Sequence, residues 1–307
     1  MPGSGTRRAS HRAHRGLAMV RPCLLHGALR LAGVAALLAL PLPAVPSDPA
    51  TGPAAAPLRV GGTGSAVAAL ERVGEALASG PGGTRLHVLP SLGSTGAARA
   101  VADGALDVGV LGRPLRPHER SLGLDERLVA RTPFVFAVGP GTPVTGITTD
   151  ELVGAYRSTL ATWPGGKRVR PILRPASDVD SDLVRAISPE VASAWDEART
   201  RPGAVVAVTN TECDEALARV PGAIGPTSLL QVRSEGNRVV PLRWNGVEPS
   251  VANLADGRYP LAKPIWVVFR RSPGEGVRKL LAFLASPGGW ALLERLGADP
   301  RPFPPVE

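Results

Sequence analysis

Gly93-Ser-Thr-Gly-Ala-Ala-Arg-Ala-Val-Ala-Asp-Gly-Ala-Leu-Asp-Val-Gly-Val-Leu111 decides the fold of this chain. A loop of small residues leads into a short helix from Gly96 to Asp103, and the apolar strand Asp107–Leu111 follows. The same order stands upstream: a strand at Leu58–Val60, the loop Gly61-Gly-Thr-Gly-Ser65, then a helical period over 66–78 with Val67, Leu70, Val73, Ala76 and Leu77 on one face. Arg85–Leu89 alternates as a strand between the two units, and Phe134–Val138 is a continuous apolar strand suited to burial on both faces. The second half continues in this style. Thr149–Tyr156 reads as a helix capped by Thr148 or Thr149, Val169–Leu173 as a strand, and Ser177-Asp-Val-Asp-Ser-Asp182 as a loop before a helix at Leu183–Ile187. Strands at 204–208, 223–229 and 264–269 and helices at 211–219, 276–284 and 287–296 complete the pattern. Alternating strands and helices predict an α/β fold with mostly parallel sheets.

Three of these loops join a strand to a helix and are rich in hydroxyls: Gly62-Thr-Gly-Ser65, Gly93-Ser-Thr-Gly96 and Ser177–Ser181. Free N–H groups and the positive end of the dipole make a helix N-terminus a site for oxyanions, although ordinary capping by Ser and Thr explains any one loop taken alone. Carboxyl ends of strands are where open α/β sheets bind ligands. Arg113 and Arg174 each follow a strand and offer a guanidinium fork. Asp178, Asp180 and Asp182 pull the other way, since carboxylates at a helix start repel a bound anion. Their D-x-D-x-D spacing is that of a calcium loop, but Leu183 and Pro189 stand where the glycine and glutamate belong.

The formal net charge of +9 over 307 residues invites a nucleic-acid role. Six of the arginines (Arg7, Arg8, Arg12, Arg15, Arg21, Arg30) lie in residues 1–47 with no acidic residue, so the rest of the chain carries +3. That segment reads as a cleavable secretory signal: a basic part, the apolar run Leu31–Leu40 (too short to span a bilayer), then small residues and prolines to Ser47. Arg7-Arg8 lies too far from the apolar run for a good twin-arginine signal, and Met19 would make a better start than Met1. Residues 48–57 are a Pro/Ala linker. Beyond the signal, Cys213 is the only cysteine, read as a small buried hydrophobe, so no intrachain disulfide is available. Two histidines (His87, His118) remain, without metal-ligand spacing, and no G-x-S-x-G, S-x-x-K or phosphate-loop motif is present. With aromatics at 4 % there are few stacking platforms for single-stranded nucleic acid. Neither a catalytic centre, a metal, a cofactor nor a nucleic-acid partner is expected.

Taken together the motifs resemble the phosphate-type substrate-binding proteins of ABC uptake systems, over about residues 58–300. Gly61–Ser65 resembles that family's first ligand loop, and Gly93–Gly109 its second loop, helix and following strand. Ile147-Thr-Thr-Asp-Glu-Leu152 with Trp163, Pro221-Gly-Ala-Ile-Gly225, Asn245–Ser250 with Gly257-Arg-Tyr-Pro-Leu261 and Pro264, and Ser286-Pro-Gly-Gly289 are similar to further family segments in the same order. The resemblance implies a two-lobed periplasmic-binding-protein fold of type II. Lobe one would be 58–138 plus 226–307 and lobe two 139–225, with the ligand in the cleft between them. It implies an exported, monomeric, non-enzymatic protein that captures phosphate or a related oxyanion and delivers it to a membrane permease. Carried over, Thr63, Gly64, Ser65, Ser94, Thr95 and Gly96 donate to ligand oxygens, and Arg174 and Ser181 survive from the lobe-two loop.

Two departures matter. Leu111-Gly-Arg113 stands where the family has a hydroxyl after the third strand. Arg174–Ser181 is one residue longer than the family loop and places Asp178 and Asp180 where glycines are expected. One such carboxylate could accept the proton of a monoprotonated phosphate; three fit only if they turn outward. The alternatives are therefore a neutral or cationic solute on the same fold, or an extracellular sensory or interaction protein without transport.

Overall fold

The structure is a computed structural model and describes residues 56–80, 83–236 and 238–301. The export segment expected at 1–47 and most of the 48–57 linker lie outside the described residues. The first third of the chain forms β1 (Leu58–Gly62), α1 (Gly64–Ala78), β2 (Leu86–Val88), α2 (Gly93–Ala102), β3 (Val108–Leu111), α3 (Pro117–Arg120) and the 15-residue β4 (Leu124–Val138). The middle forms β5 (Gly146–Ile147), α4 (Thr149–Arg157), β6 (Arg170–Leu173), α5 (Val179–Arg185), α6 (Pro189–Thr200), β7 (Val205–Val206), α7 (Asn210–Arg219) and β8 (Ala223–Ser228). The last third forms α8 (Leu229–Ser234), β9 (Val240–Pro241), β10 (Arg243–Trp244), α9 (Val251–Ala255), β11 (Ala262–Arg270), α10 (Glu275–Leu284) and α11 (Pro287–Arg295).

Nine strands make one sheet in the order β2-β1-β3-β11-β4-β8-β6-β7, with β9 also on β4; β10 and β5 pair separately. The sheet is mixed. Its outer strands pair parallel, as alternating β and α elements require, but β11 and β4 are antiparallel to each other and to their outer neighbours. Strand β4 joins two half-sheets. Leu124–Pro133 pairs with β11, and Phe134–Val138 pairs with β8. The apolar run read from the sequence is this second portion; the first carries Asp125, Glu126, Arg127 and Arg131 and hides its strand character behind charge.

Each half-sheet has its own core. Val60, Leu70, Val73, Val110, Val267 and Leu280 pack on one face of the β1–β3–β11 half, and Ala97, Val101, Leu106, Leu111 and Val268 on the other. Phe134, Phe136, Tyr156, Trp163 and Trp195 fill the β4–β8–β6 half. The segment after β9 returns to this second core: Trp244 lies against Phe136 with ring centroids 5.6 Å apart, and the Tyr259 hydroxyl donates to the Phe134 carbonyl at 2.9 Å. The motif Pro221–Gly225 is a packing device here. The Trp163 indole donates to the Gly222 carbonyl at 2.9 Å, and a Cβ on Gly222, whose φ is 76°, would stand 2.1 Å from the Arg168 carbonyl oxygen.

The helix at 149–157 is capped by Thr148, whose hydroxyl accepts from the Glu151 N–H while the Glu151 carboxylate accepts from the Thr148 N–H. Cys213 is buried, its thiol 3.4 Å from the Pro226 carbonyl, and burial pushes its pKa well up, so it behaves as the inert small hydrophobe expected. Its neighbour Asp214 is also buried and accepts from the Thr227 hydroxyl at 3.2 Å. Burial, reinforced by the charge of Glu235, pushes the Asp214 carboxyl up to about 7. A folded-state pKa above the unfolded one means that the native state binds the extra proton between about pH 4 and 7, so stability falls as pH rises through that window. We expect the wild type to lose at least about 4 °C in Tm between pH 5 and 8, and Asp214→Asn to lose much less. Parallel thermal melts across that range check this; equal slopes would refute it.

Candidate functional site

The two small-residue loops meet at the carboxyl ends of β1, β2 and β3. Gly62 lies flat against β3: a Cβ there would sit 2.0 Å from the Val110 carbonyl oxygen. This contact lets the Thr63 N–H bond that same oxygen at 2.8 Å while the Gly62 carbonyl accepts from the Leu92 N–H at 3.0 Å. The two loops are thus tied side by side. Helices α1 and α2 start from them, and these two differ from every other described helix. Neither has a side-chain cap, and neither has an acidic residue in its first turn. The Ala66 N–H of α1 bonds the Thr63 carbonyl at 3.0 Å, but no side chain caps the first N–H groups of either helix or opposes their dipoles.

The facing wall comes from the carboxyl end of β6 and the starts of α5 and α7. Arg174, 1 % exposed, donates from one terminal nitrogen to the Ala207 carbonyl at 2.7 Å and from the other to Asp178 at 3.1 Å. Its Nε has no hydrogen-bond partner and lies 3.9 Å from Asp180. Asp178 is the N-cap of α5, accepting from the Asp180 N–H at 2.9 Å. Burial and the nearby Asp180 charge raise its pKa, against the pull of Arg174 and Lys263. Asp180 is completely buried behind it, held by Lys263 Nζ at 2.5 Å and by the Asn210 amide at 2.6 Å.

A cleft of about 360 Å³ lies between these walls, lined by Thr63, Ser91–Gly96, Arg174, Pro175, Ser177–Val179 and Val208–Asn210. Of the residues singled out in the sequence, Thr63, Ser94, Thr95, Gly96, Arg174 and Asp178 line it together. Gly64 and Ser65 sit at the start of α1, with the Ser65 hydroxyl 3.2 Å from that of Thr63. The others are placed differently. Arg113 does not reach into the cleft; it forks onto Glu119 at 2.7 Å through both terminal nitrogens and touches the rim through the Thr95 hydroxyl at 3.0 Å. Ser181 donates to the Arg174 and Pro175 carbonyls and so shapes the loop. Asp180 is spent on internal partners, and Asp182 turns out to solvent beside Arg185. Helix α5 begins at Val179, four residues before the expected start, because Asp178 caps it.

The net charge of the wall follows. Arg174 and Asp178 at the lining offset each other, as do Lys263 and Asp180 buried behind it, leaving the wall balanced. Lys263 and Asn210 were not anticipated. Lys263 is embedded in the strong strand β11, where lysine signals only an exposed edge, and Asn210 resembles any first-turn polar residue; no local pattern marks either. No group of three or more His, Cys, Asp or Glu among the described residues is placed to hold a metal, and no described helix is long and apolar enough to cross a membrane.

This architecture has solved counterparts. A substrate-binding protein assigned to a phosphate ABC transporter of Clostridium perfringens, crystallised with phosphate, superposes with a TM-score of 0.69 at 17 % identity, covering 80 % of this chain and 100 % of that one. A phosphate-binding protein of Stenotrophomonas maltophilia gives 0.60 at 14 % identity, over 80 % and 91 % of the two chains. An ABC-type phosphate transport receptor of Vibrio cholerae gives 0.54 at 19 %, over 79 % and 99 %. At such identities the likeness speaks for the fold alone. No curated protein matches the chain. The family model for the PBP superfamily domain matches residues 47–287, which include both walls of the cleft and the sheet that carries them. With half-sheets joined on one long strand and a polar cleft at their carboxyl ends, this chain belongs to the PBP superfamily.

Proposed function

We propose that this chain is an exported solute-binding protein that captures phosphate or a related tetrahedral oxyanion in the Thr63–Ser94–Arg174 cleft and hands it to the permease of an ABC transporter. The observation that carries the reading is the pair of helices α1 and α2, whose N-termini have neither a side-chain cap nor a first-turn acid and face a buried arginine whose Nε makes no hydrogen bond and has only the long contact to Asp180. The hydroxyls of Thr63, Ser94 and Thr95 add donors, and Asp178, its pKa raised, is an acceptor for a proton on the ligand. No chemistry is required of the site: binding, closure and release suffice. The basic, then apolar, then small-residue N-terminus supports export, and the phosphate-binding proteins of like fold support the ligand class.

Our lobe division follows the half-sheets. Lobe one comprises β1–β3, the first portion of β4 and residues 262–301. In place of the expected 139–225, lobe two then comprises the second portion of β4 and residues 139–228 and 239–261, so that Leu242, Trp244 and Tyr259 go with the second core, while α8 lies between the lobes with Leu229 in the second core and Leu230 in the first. A second reading, a neutral solute, is favoured by the balance of Arg174 and Lys263 against Asp178 and Asp180. A thermal-shift panel separates the two. Phosphate, arsenate, molybdate, tungstate and sulfate at submillimolar concentration are expected to raise Tm for at least one anion. Silence across the panel, with a shift produced by neutral solutes, would replace the oxyanion reading by the second.

A further inference from the structure

Lys263 is one of three lysines in a chain with 32 arginines, and it is 2 % exposed. It belongs to β11, paired in register with Thr132 of β4 on the lobe-one half-sheet. Its partner Asp180 belongs to α5, on the other half. The pair therefore crosses between the halves behind the cleft, in a narrow passage: a Cβ on Gly112, just after β3, would lie 3.1 Å from the Lys263 side chain and 3.3 Å from Val179. On the lobe-two side Asp180 also holds the Asn210 amide and stands 3.9 Å from Arg174 Nε.

Counting charges with and without this lysine gives it a role. Separated from lobe one, the lobe-two wall holds Arg174 against Asp178 and Asp180, a net charge of −1, which opposes an anion. With Lys263 docked the same wall is neutral, and Arg174 no longer has to serve two carboxylates. Asn210 and Arg174 hold Asp180 on the lobe-two side, and as long as it stays buried there, loss of Lys263 leaves its charge undercompensated, a cost that favours the docked arrangement before any ligand arrives.

We propose that Lys263 is an interlobe positioning residue: its docking on Asp180 both closes the cleft and removes the net negative charge with which the lobe-two wall would oppose an anion. This rests on the oxyanion reading above for its ligand, but not for its closure. The residue acts through Asp180, Asn210 and Arg174 and does not touch the ligand itself.

The test uses the mature chain with spin labels at Arg99→Cys and Arg219→Cys, both on exposed positions of helices from opposite lobes, together with phosphate calorimetry. Without ligand, the parent is expected to show a short interlabel distance and Lys263→Met a population shifted to a longer one. Lys263→Met is expected to weaken phosphate binding at least tenfold, and Lys263→Arg to keep both properties. Asp180→Asn is a second probe should Lys263→Met not fold. It removes the negative charge together with the latch, so ligand-free closure is lost while phosphate affinity stays equal or tightens. A Lys263→Met protein with unchanged distance overturns the proposal, as does an Asp180→Asn protein that loses phosphate binding tenfold. If the parent binds no oxyanion, the functional reading fails, and the interlabel distances alone decide the role of Lys263.

Discussion

Replacing Arg174 by methionine is expected to cost about 3–5 kcal/mol of stability, the range found when one partner of a buried ion pair is removed. The residue is 1 % exposed, and its loss strips Asp178 of its ion-pair partner and the Ala207 carbonyl of a donor. Asp180 keeps Lys263 and Asn210, so the uncompensated charge falls on Asp178, whose pKa, already raised, rises further. The deficit should therefore be smaller at pH 5 than at pH 8. The double variant Arg174→Met/Asp178→Asn removes the orphaned charge as well. We expect it to regain most of the stability and none of the oxyanion binding. Chemical denaturation and calorimetry of the two variants measure both quantities; a double variant that binds phosphate like the wild type would show that the guanidinium serves the fold and not the ligand.

Gly62→Ala is the second large effect. The added methyl would lie 2.0 Å from the Val110 carbonyl oxygen, and the obstacle is backbone in the middle of the sheet, not the end of a flexible side chain. Overpacking typically costs 1–3 kcal/mol, and we expect about 3 here because β1 and β3 must move apart. The same displacement lengthens the bond from the Thr63 N–H to Val110 and frees Leu92 from the Gly62 carbonyl, so the two segments that line the cleft lose their common anchor. A Tm lower by roughly 6–12 °C, with at least tenfold weaker oxyanion binding, is the expected outcome. Gly93→Ala is the control. Gly93, the first residue of α2, also lines the cleft but has nothing within 4 Å of its Cβ position, and at φ 64° it should cost only the modest strain of a left-handed residue. Equal losses in the two variants would contradict the role given to the Gly62 contact.

The fold was legible where sequence pattern and local structure share a period. Helices α1, α2, α4, α7, α10 and α11 appear close to their expected bounds, as do strands β1, β3, β6, β8 and β11. Helix α6 was missed although its signals are present: Ser188 caps it, Pro189 is its first residue, and Val191, Ala194, Trp195 and Ala198 follow helical spacing. Helix α8 has only six residues, too few to show a period. The front of β4 was hidden by charges that pair across its edge, Glu126 with Arg120 and Asp125 with Arg271. For the cleft, the loop hydroxyls and Arg174 could be read from their places after strands. The fate of the three aspartates could not. Whether Asp180 opposes a ligand depends on a lysine 83 residues later in the chain, and whether Arg113 is available depends on Glu119 across a turn. Charges are assigned to a site by three-dimensional pairing, which composition and spacing do not encode.

The central claim is that the cleft holds a tetrahedral oxyanion between the starts of α1 and α2 and the Arg174 guanidinium. Crystals of the mature chain grown with millimolar phosphate test it most directly. The account predicts tetrahedral density within hydrogen-bond distance of Thr63, Ser94 and Arg174, with Asp178 on the remaining oxygen. Density for phosphate elsewhere while this cleft stays filled with water, or a neutral molecule seated against Asp178 in its place, would contradict it.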